Sequence, residues 1–431
     1  MTSPGIRNAA LCFSVTGLVF VACLLYLRLS PPVAPLNDAV EYYTLACNLS
    51  AGKGFSMDGV TPYMYRPPLY SVLLGGWFYL TGSTSLYSAA LFQSLVHSLS
   101  CGAAFFLFLG VFGSACWALF LSLWLGLPPP FLSRIGFVLQ EPTLILFTTL
   151  ALLASLKFLQ RRTSPAAFSA GIAWGLCTLA KSVAWIGVLL MVLERLLNRS
   201  AAGSRRQAAI LVFAFLAAMS PWVVRNYADF GRLIIVNSQG TGMMEWNFTV
   251  AYKRSLFNKN LDIVSSKRLL SEMNAKSLSD SEKREGMRSL AKKNFAYYFF
   301  GRVLSGALYF TFPDFFQNWY ATKLAPPPGL RKVIAYAWWL FLTLPLYLAL
   351  LWRCFQLVKR RLTAPASFLV VFYLLYWAQY AALWGDPRFS VPVYPVLLCL
   401  LPVPFLRTGS GSKDGLLRIS SSPNTAGGVQ T

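Results

Sequence analysis

The sequence is short of charge and of histidine. Only 12% of its 431 residues are charged, against roughly 25% in ordinary soluble domains, and 56% are hydrophobic. This shortage excludes an ordinary soluble domain. The single histidine, His97, lies inside an apolar run, which excludes a metal site built from histidines and a Ser-His-Asp mechanism. A general base in this chain is therefore an Asp or a Glu.

Other familiar signatures are also missing. Most of the eight cysteines lie inside apolar runs without metal-site spacing, so they are interpreted as small hydrophobic residues and indicate no disulfide framework. No basic-aromatic motif for RNA or DNA accompanies the formal net charge of +23, and we expect no nucleic-acid partner. Neither a P-loop nor a Rossmann fingerprint is present.

Long apolar runs are what the chain has in abundance. Runs near 20 residues are long enough to cross a hydrocarbon core of about 30 Å. They predict an all-α polytopic membrane protein with a bundle of about ten transmembrane helices. Interfacial helices are expected in its first large outer loop. The predicted spans are roughly 9–28, 86–112, 115–128, 142–159, 167–180, 183–197, 208–224, 333–353, 365–383 and 391–406.

Basic residues in the short loops predict the orientation. By the positive-inside rule the loops that carry them are cytoplasmic, and ten spans then place both termini inside. These residues include Arg161, Arg162, Arg195, Arg199, Arg205, Arg206, Arg353, Lys359, Arg360 and Arg361. One membrane domain, 1–407, is predicted, with outer loops at about 29–85 and 225–331. Residues 408–431 are predicted to form a disordered cytoplasmic tail.

The acidic residues fall almost entirely on the predicted outer side. Of the fifteen, only Glu194 and Asp414 fall inside. Longer outer loops explain the acids between residues 262 and 285. They explain Glu141 and Asp386 less well, because these two lie in very short loops between apolar segments.

Two acids open the first outer loop. Asp38 and Glu41 are three residues apart, on the same side of a predicted helix from about 38 to 50. Asp38 at the N-cap and Glu41 at N3 would form a variant of the capping box. A carboxylate at membrane depth is also costly and typical of function. Glu141 is open to the same two interpretations, since the dipole of the following helix favours a carboxylate there.

Four basic residues stand at the outer ends of predicted helices. Arg66 precedes two prolines and the segment "LYSVLLGGWFYL", where it can bind a lipid phosphate or simply anchor the interface. Lys181 lies in a tight turn, Arg225 ends the seventh span before a strand-like "RLIIVNS", and Arg388 precedes the last span. Acids and cations on one face beside apolar helices suit a substrate with a lipid tail and a phosphate.

The ordered set of these motifs resembles a known superfamily. The pieces are "DAVEYYTLACNLSAGKGFS", "YRPPLYSVLL", "LQEP", "GLCTLAKS", "SPWVVRNYADFGRLIIVNSQG" and "DPRFSVPVYPVLL". Together they are similar to the ArnT-like and protein O-mannosyltransferase-like integral membrane glycosyltransferases of the GT-C superfamily (glycosyltransferase family 39-like). The resemblance covers nearly the whole chain up to about residue 407.

The resemblance implies a reaction. A polyprenyl-phosphate-linked sugar would be the donor, a lipid, glycan or protein the acceptor, and transfer would invert the anomeric carbon on the outer face of a bacterial plasma membrane. Asp38 matches the aspartate of the family's first loop, which accepts the acceptor's proton. Protein mannosyltransferases carry adjacent Asp and Glu, whereas Ala39 follows Asp38 here, which favours the ArnT-like branch.

Further roles follow from that reaction. Arg225, Lys181, Arg66 and Arg388, in falling order, are expected to contact the donor phosphate. Glu141 is the second expected catalytic acid, orienting sugar hydroxyls or a basic partner, and Glu41 is a third. No nucleotide is needed, because the lipid carries the activated sugar. Asp38, Glu41 and Glu141 could also hold a divalent cation weakly, although no metal-site pattern is present.

Other classes remain open at this stage. A transporter or flippase of lipid-linked substrates would share the charged outer loops, but such proteins usually show an internal repeat, and none is evident. A polysaccharide ligase or polymerase would share the donor and transfer a whole glycan. A non-catalytic scaffold would leave the outer-face charges unexplained.

Overall fold

The chain is a bundle of α-helices. The computed structural model describes residues 4–197, 203–237, 323–383 and 387–401, together with six isolated positions between 282 and 311. The predicted tail, most of the second outer loop and Asp386 lie outside the described residues. Within the described ranges the only β pairing is one isolated antiparallel bridge, between Ser56 and Pro62. The predicted all-α class is confirmed.

The helices follow the apolar runs closely. They are α1 (Pro4–Leu29), α2 (Asp38–Ser50), α3 (Leu69–Thr81), α4 (Leu86–Phe112), α5 (Ala115–Gly126), α6 (Pro129–Leu132), α7 (Glu141–Arg161), α8 (Ser164–Ala180), α9 (Ile186–Leu197) and α10 (Ser204–Phe230). Four more follow: α11 (Pro328–Trp338), α12 (Leu344–Val358), α13 (Ala364–Leu383) and α14 (Tyr394–Cys399). Short 3₁₀ turns precede α7, α9 and α14, at Ser133–Gly136, Ser182–Trp185 and Pro387–Val393.

Six of the described helical segments are long and apolar enough to cross a membrane. They are α1, α4, α7, α10, α13 and the continuous Gly329–Val358; a seventh arises if α5 and the bent segment after it count as one span. The chain is therefore an integral, multi-pass membrane protein. Helices α8, α9 and α14 coincide with predicted spans but have only 17, 12 and 6 residues, short of a full crossing.

Close packing of α8 on α10 joins the middle of the bundle. A Cβ on Gly171 would lie 2.4 Å from the carbonyl oxygen of Leu211, and one on Gly175 would lie 3.0 Å from that of Phe215. Glycines four residues apart thus let two backbones touch, as small residues do in many membrane helix pairs. Further along α10, Pro221 lacks an N–H for the carbonyl of Ala217, and the hydroxyl of Ser220 donates to it instead at 2.9 Å.

The loop between α1 and α4 folds as a helical hairpin of α2 and α3. At Gly75 a Cβ would lie 3.0 Å from the carbonyl oxygen of Ala46, so glycine permits the close approach. The predicted helix from about 38 to 50 is confirmed. The capping interpretation of its acids is wrong, because Asn37 is the N-cap and no side chain caps the helix. The strand-like segment after α10 is also not a strand, since its described residues form bends.

Helix direction separates two ends of the bundle. Helix α7 begins, and α8 and α10 end, at the end that carries Glu141 and Lys181, called here the cavity end. The opposite end is rich in basic residues, and side-chain hydrogen bonds join α9 to α10 there. There Arg195, only 1% exposed, binds both carboxylate oxygens of Glu194 and donates to Gln207 at 3.1 Å.

Candidate active site

A cavity of about 830 Å³ opens at the cavity end. It lies where α2 begins, α8 and α10 end, and the turn before α14 returns. Its polar and charged lining comprises Asp38, Tyr42, Arg66, Thr178, Lys181, Ser182, Arg232, Asn237, Gln379, Tyr380 and Arg388. Of the sequence-predicted site residues, the structure brings Asp38, Arg66, Lys181 and Arg388 to this lining. Glu41, Glu141 and Arg225 lie outside it.

Asp38 is held between two arginines. Its Oδ1 accepts from Arg66 Nη2 at 2.8 Å, and its Oδ2 accepts from Arg388 Nη2 at 2.7 Å. Burial by itself would raise the pKa of the Asp38 carboxyl, but the positive charges of Arg388 and Arg66 outweigh burial and hold that pKa below its usual value. The carboxylate is therefore ionised near neutral pH.

Glu41 belongs to the same cluster, one helical turn further along α2. Arg66 Nε donates to Glu41 Oε2 at 2.8 Å and Arg66 Nη2 donates to Glu41 Oε1 at 2.7 Å. The hydroxyl of Tyr63 also donates to Glu41. Because Asp38 and Glu41 are three residues apart on one helix, a single guanidinium can bind both carboxylates. Arg66 is neither a free anchor nor a free phosphate ligand.

Lys181 is a cavity cation that pairs with no carboxylate of the described residues. Among the described residues no Asp or Glu oxygen lies within salt-bridge distance of its ammonium. With the Gln140 amide oriented to suit its neighbours, Lys181 Nζ donates to Gln140 Oε1 at 2.8 Å, and it lies 4.6 Å from the centre of the Phe389 ring. Desolvation, followed by the charge of Arg388, lowers its pKa to about 8.

Glu141 lies behind the cavity wall. It is the first residue of α7, is 3% exposed, and its Oε2 has no hydrogen-bond partner. Its neighbour Gln140 makes the contacts to the site instead. The Gln140 amide nitrogen donates to the Ala180 carbonyl at 2.9 Å and to the Tyr42 hydroxyl at 2.9 Å. The "LQEP" motif therefore reaches the site through its glutamine.

Arg225, ranked first among the expected phosphate contacts, is engaged by the protein. Its Nε pairs with Asp229 at 2.7 Å, and its Nη1 and Nη2 donate to the carbonyls of Tyr63 and Phe55 at 3.0 and 3.2 Å. It does not line the cavity. The expectation that it leads the phosphate contacts has no support in this arrangement.

One side of the cavity is apolar and open. Val183, Trp185 and Phe215 line it together with residues 233–236. Trp185, Leu233 and Ile235 are 46%, 69% and 58% exposed, so this side faces outward from the bundle. A lipid tail could leave the cavity here while a polar headgroup stayed beside Lys181.

Sequence reasoning missed several lining residues. Arg232 borders the cavity and its Nη2 lies 3.3 Å from Met64 Sδ. Tyr42, one turn after Asp38 on α2, also lines it. The spacing of four from Asp38 was the available signal for Tyr42. Thr178, three residues before Lys181, offered the same signal. Nothing in the sequence singled out Gln379, which α13 brings from the far end of the chain.

Asp38, Glu41 and Glu141 do not form a metal-site cluster. Among the described residues no group of three or more His, Cys, Asp or Glu side chains is arranged to hold a metal ion. Asp38 and Glu41 are both bound by Arg66, so a divalent cation would have to displace that guanidinium. Glu141, the third acid considered, lies outside the cavity lining.

Comparison with known proteins bears on the fold. No protein-family model and no curated protein matches the chain. The oligosaccharyltransferase AglB from the archaeon Archaeoglobus fulgidus, solved with an inhibitory peptide and a dolichol-phosphate, is similar over 90% of this chain, with a TM-score of 0.51 and 18% identity. This chain therefore shares the helical membrane fold of AglB. The chain spans about half the length of AglB, covering 50% of it.

A second structure is similar at lower agreement. ArnT from Cupriavidus metallidurans bound to undecaprenyl phosphate matches over 92% of this chain and 78% of its own, with a TM-score of 0.41 and 15% identity.

Proposed function

We propose that this protein transfers a sugar from a polyprenyl-phosphate-linked donor to an acceptor hydroxyl. The observation that carries the proposal is the cavity itself: it places the carboxylate of Asp38 beside Lys181 and Arg388, with an apolar opening on one side. A carboxylate and two cations around one space suit a reaction in which a hydroxyl loses a proton while a phosphate leaves.

Lys181 and Arg388 are the proposed donor phosphate ligands. In the described part of the chain no carboxylate competes with the phosphate for Lys181, and both cations lie against the ring of Phe389, at 4.6 and 4.8 Å from its centre. Partial exclusion of water strengthens the attraction between these cations and the charge that accumulates on a departing phosphate. The apolar side at Trp185 and Phe215 would accommodate the first isoprene units.

Asp38 is the proposed general base. The acceptor oxygen forms a bond to the anomeric carbon as the bond from that carbon to the phosphate oxygen breaks. The hydroxyl proton passes to Asp38, and the electron pair of the broken bond leaves with the polyprenyl phosphate. Attack from the side opposite the phosphate inverts the anomeric carbon. Because a bound phosphate competes for Arg388, Asp38 becomes more basic when the donor is in place.

The cavity end would face outward. The basic loops at the opposite end favour a cytoplasmic location there by the positive-inside rule. The reaction then occurs on the extracytoplasmic face, as suits a donor whose lipid carries the activated sugar across. A bacterial plasma membrane, and a lipid, glycan or protein acceptor, complete the proposal.

The test uses purified protein in lipid nanodiscs. A panel of radiolabelled polyprenyl-phosphate sugars is offered with a lipid and glycan extract as acceptor, and release of free polyprenyl phosphate is measured. Release with one donor, together with a labelled acceptor, supports the proposal. No release from folded protein with any donor contradicts it, and movement of an intact labelled lipid across proteoliposomes would then assign a transporter. Transfer of only preassembled polysaccharide would assign a ligase.

A further inference from the structure

Three side chains near the end of α10 share one face of the helix. Trp222, Arg225 and Asn226 are three and four residues apart, which is the spacing of helical neighbours. Two of them hold the segment that follows α10. Trp222 Nε1 donates to the carbonyl of Val236 at 2.6 Å, and Asn226 Nδ2 donates to that of Ile234 at 2.9 Å. Both carbonyls belong to residues that line the cavity.

Arg225 holds a second segment in the same way. Its two terminal nitrogens reach the carbonyls of Phe55 and Tyr63, which are also joined by a backbone hydrogen bond from the Tyr63 N–H to the Phe55 carbonyl at 2.9 Å. Asp229 fixes the third nitrogen, and the guanidinium carbon lies 4.9 Å from the centre of the Trp222 ring. Each of the three nitrogens of the guanidinium therefore has a partner within the protein.

The segment held by Arg225 leads directly to the site. Tyr63, whose backbone carbonyl Arg225 binds, donates its hydroxyl to Glu41. Glu41 in turn binds Nε and Nη2 of Arg66, and the same Nη2 binds Asp38. An unbroken series of contacts thus runs from α10 to the carboxylate of Asp38.

We propose that Arg225 is a positioning residue, which fixes residues 55–66 so that Tyr63, Glu41 and Arg66 hold Asp38 in its working orientation. It does not touch the donor phosphate. The inference rests on the proposed function for its effect on turnover, but its structural part concerns the free protein and can be measured without a substrate.

The test compares Arg225→Ala and Arg225→Lys with Arg206→Ala. Arg206 is an exposed arginine near the other end of the same helix, about 28 Å away at 1.5 Å per residue. For each protein in nanodiscs, hydrogen–deuterium exchange of residues 55–66, binding of tritiated undecaprenyl phosphate, and kcat for sugar transfer are measured.

Arg225→Ala should speed exchange at the Tyr63 amide and lower kcat roughly 10- to 100-fold, as misplacement of a reacting group by about 1 Å can do. Its Kd for undecaprenyl phosphate should stay within about twofold of wild type. Arg225→Lys should fall between, because one ammonium cannot bind both carbonyls in a fork. The acid limb of the pH–rate profile should also shift in the Arg225 variants, since the Arg66–Asp38 contact loosens. Arg206→Ala should match wild type throughout.

Two results would overturn the inference. Unchanged exchange at residues 55–66 in Arg225→Ala shows that the segment is held by other contacts, whatever happens to turnover. A Kd raised tenfold or more in Arg225→Ala but largely restored in Arg225→Lys makes Arg225 a phosphate ligand. Failure of the wild type to transfer any sugar counts against the proposed function alone, because exchange and binding still report on Arg225.

Discussion

Replacing Lys181 by methionine probes the cation on which donor binding is proposed to depend. Methionine keeps a long, unbranched and largely apolar side chain while removing the ammonium. Lys181 has no carboxylate partner among the described residues, so its loss leaves no acid unpaired. It removes the donor to Gln140 Oε1 at 2.8 Å, which a reoriented amide or a water can replace. The expected change is therefore mainly in phosphate binding.

The size of the change follows from a single charged hydrogen bond. Such a bond is worth about 1.5–3 kcal/mol net. At about 1.4 kcal/mol per factor of ten, the Kd for polyprenyl phosphate should rise roughly 10- to 140-fold in Lys181→Met. Lys181→Arg should lose less, because the charge remains but the fork of a guanidinium fits a space shaped for an ammonium imperfectly.

The pH dependence has a defined sign. Burial lowers the pKa of Lys181 to about 8, so the ammonium is mostly protonated at pH 7 and attracts the phosphate. As pH rises through about 8 in the free protein, the proton is lost and the affinity weakens. In Lys181→Met this alkaline weakening should be absent. The acid side of the binding curve is governed by other groups and should not differ between the two proteins.

Binding of tritiated undecaprenyl phosphate to protein in nanodiscs, from pH 6 to 9.5, measures both effects. Lys53→Met is the control, because Lys53 is an exposed lysine in the turn after α2 and does not line the cavity. It should bind like wild type. A Kd for Lys181→Met within about twofold of wild type, or an alkaline weakening that persists in this variant, would refute Lys181 as the phosphate ligand.

Two further predictions concern the carboxylate cluster and the packing of the bundle. Arg66→Gln removes one of the two positive charges that lower the pKa of Asp38, so the acid limb of the pH–rate profile should move to higher pH. An acid limb that does not move would show that Arg66 does not lower the pKa of Asp38. Gly171→Leu forces a side chain against the Leu211 carbonyl oxygen, so it should cost about 1–3 kcal/mol of stability and lower the melting temperature. Gly17→Leu is the control, because no atom lies within 4 Å of its added Cβ, and its melting temperature should not fall. Equal melting temperatures for the two variants would contradict the close packing of α8 on α10.

The helices could be predicted from sequence because their signal is local. Apolar length alone places α1, α4, α7, α10 and α13 to within a few residues. The partial crossings were harder, since a buried helix of 17 residues such as α8 has the same composition as a lipid-facing one. Its length depends on the neighbours that cover its ends, which the apolar pattern does not describe.

The site was predictable in its residue types but not in its pairings. Asp38 and Arg388 are 350 positions apart, and only the folded bundle brings them to 2.7 Å. The order of the motifs nevertheless placed both at one end. The acids at α2 were open to a capping interpretation because capping depends on backbone angles at Asn37, where φ is 52°, rather than on residue type.

The roles of individual residues could not be predicted where a difference of one position decides whether a side chain reaches the cavity. Glu141 and Gln140 are adjacent, yet the glutamine reaches Lys181 while the glutamate is buried behind the wall. Arg225 was recognised as important at the end of α10. Its partners are backbone carbonyls some 160 to 170 residues earlier in the chain, and a backbone carbonyl leaves no sequence signal.

Asp38 is proposed to take the acceptor's proton in a sugar transfer from a lipid phosphate. The most direct measurement compares release of polyprenyl phosphate by wild type, Asp38→Asn and Asp58→Asn, each folded in nanodiscs with the active donor and acceptor. Asp58 is a fair control, because it lies in the same loop and only accepts local turn bonds from Val60 and Thr61. Loss of turnover by a factor of roughly 10² or more in Asp38→Asn alone, with donor binding retained, is the predicted result. Equal turnover by all three proteins would contradict Asp38 as the base.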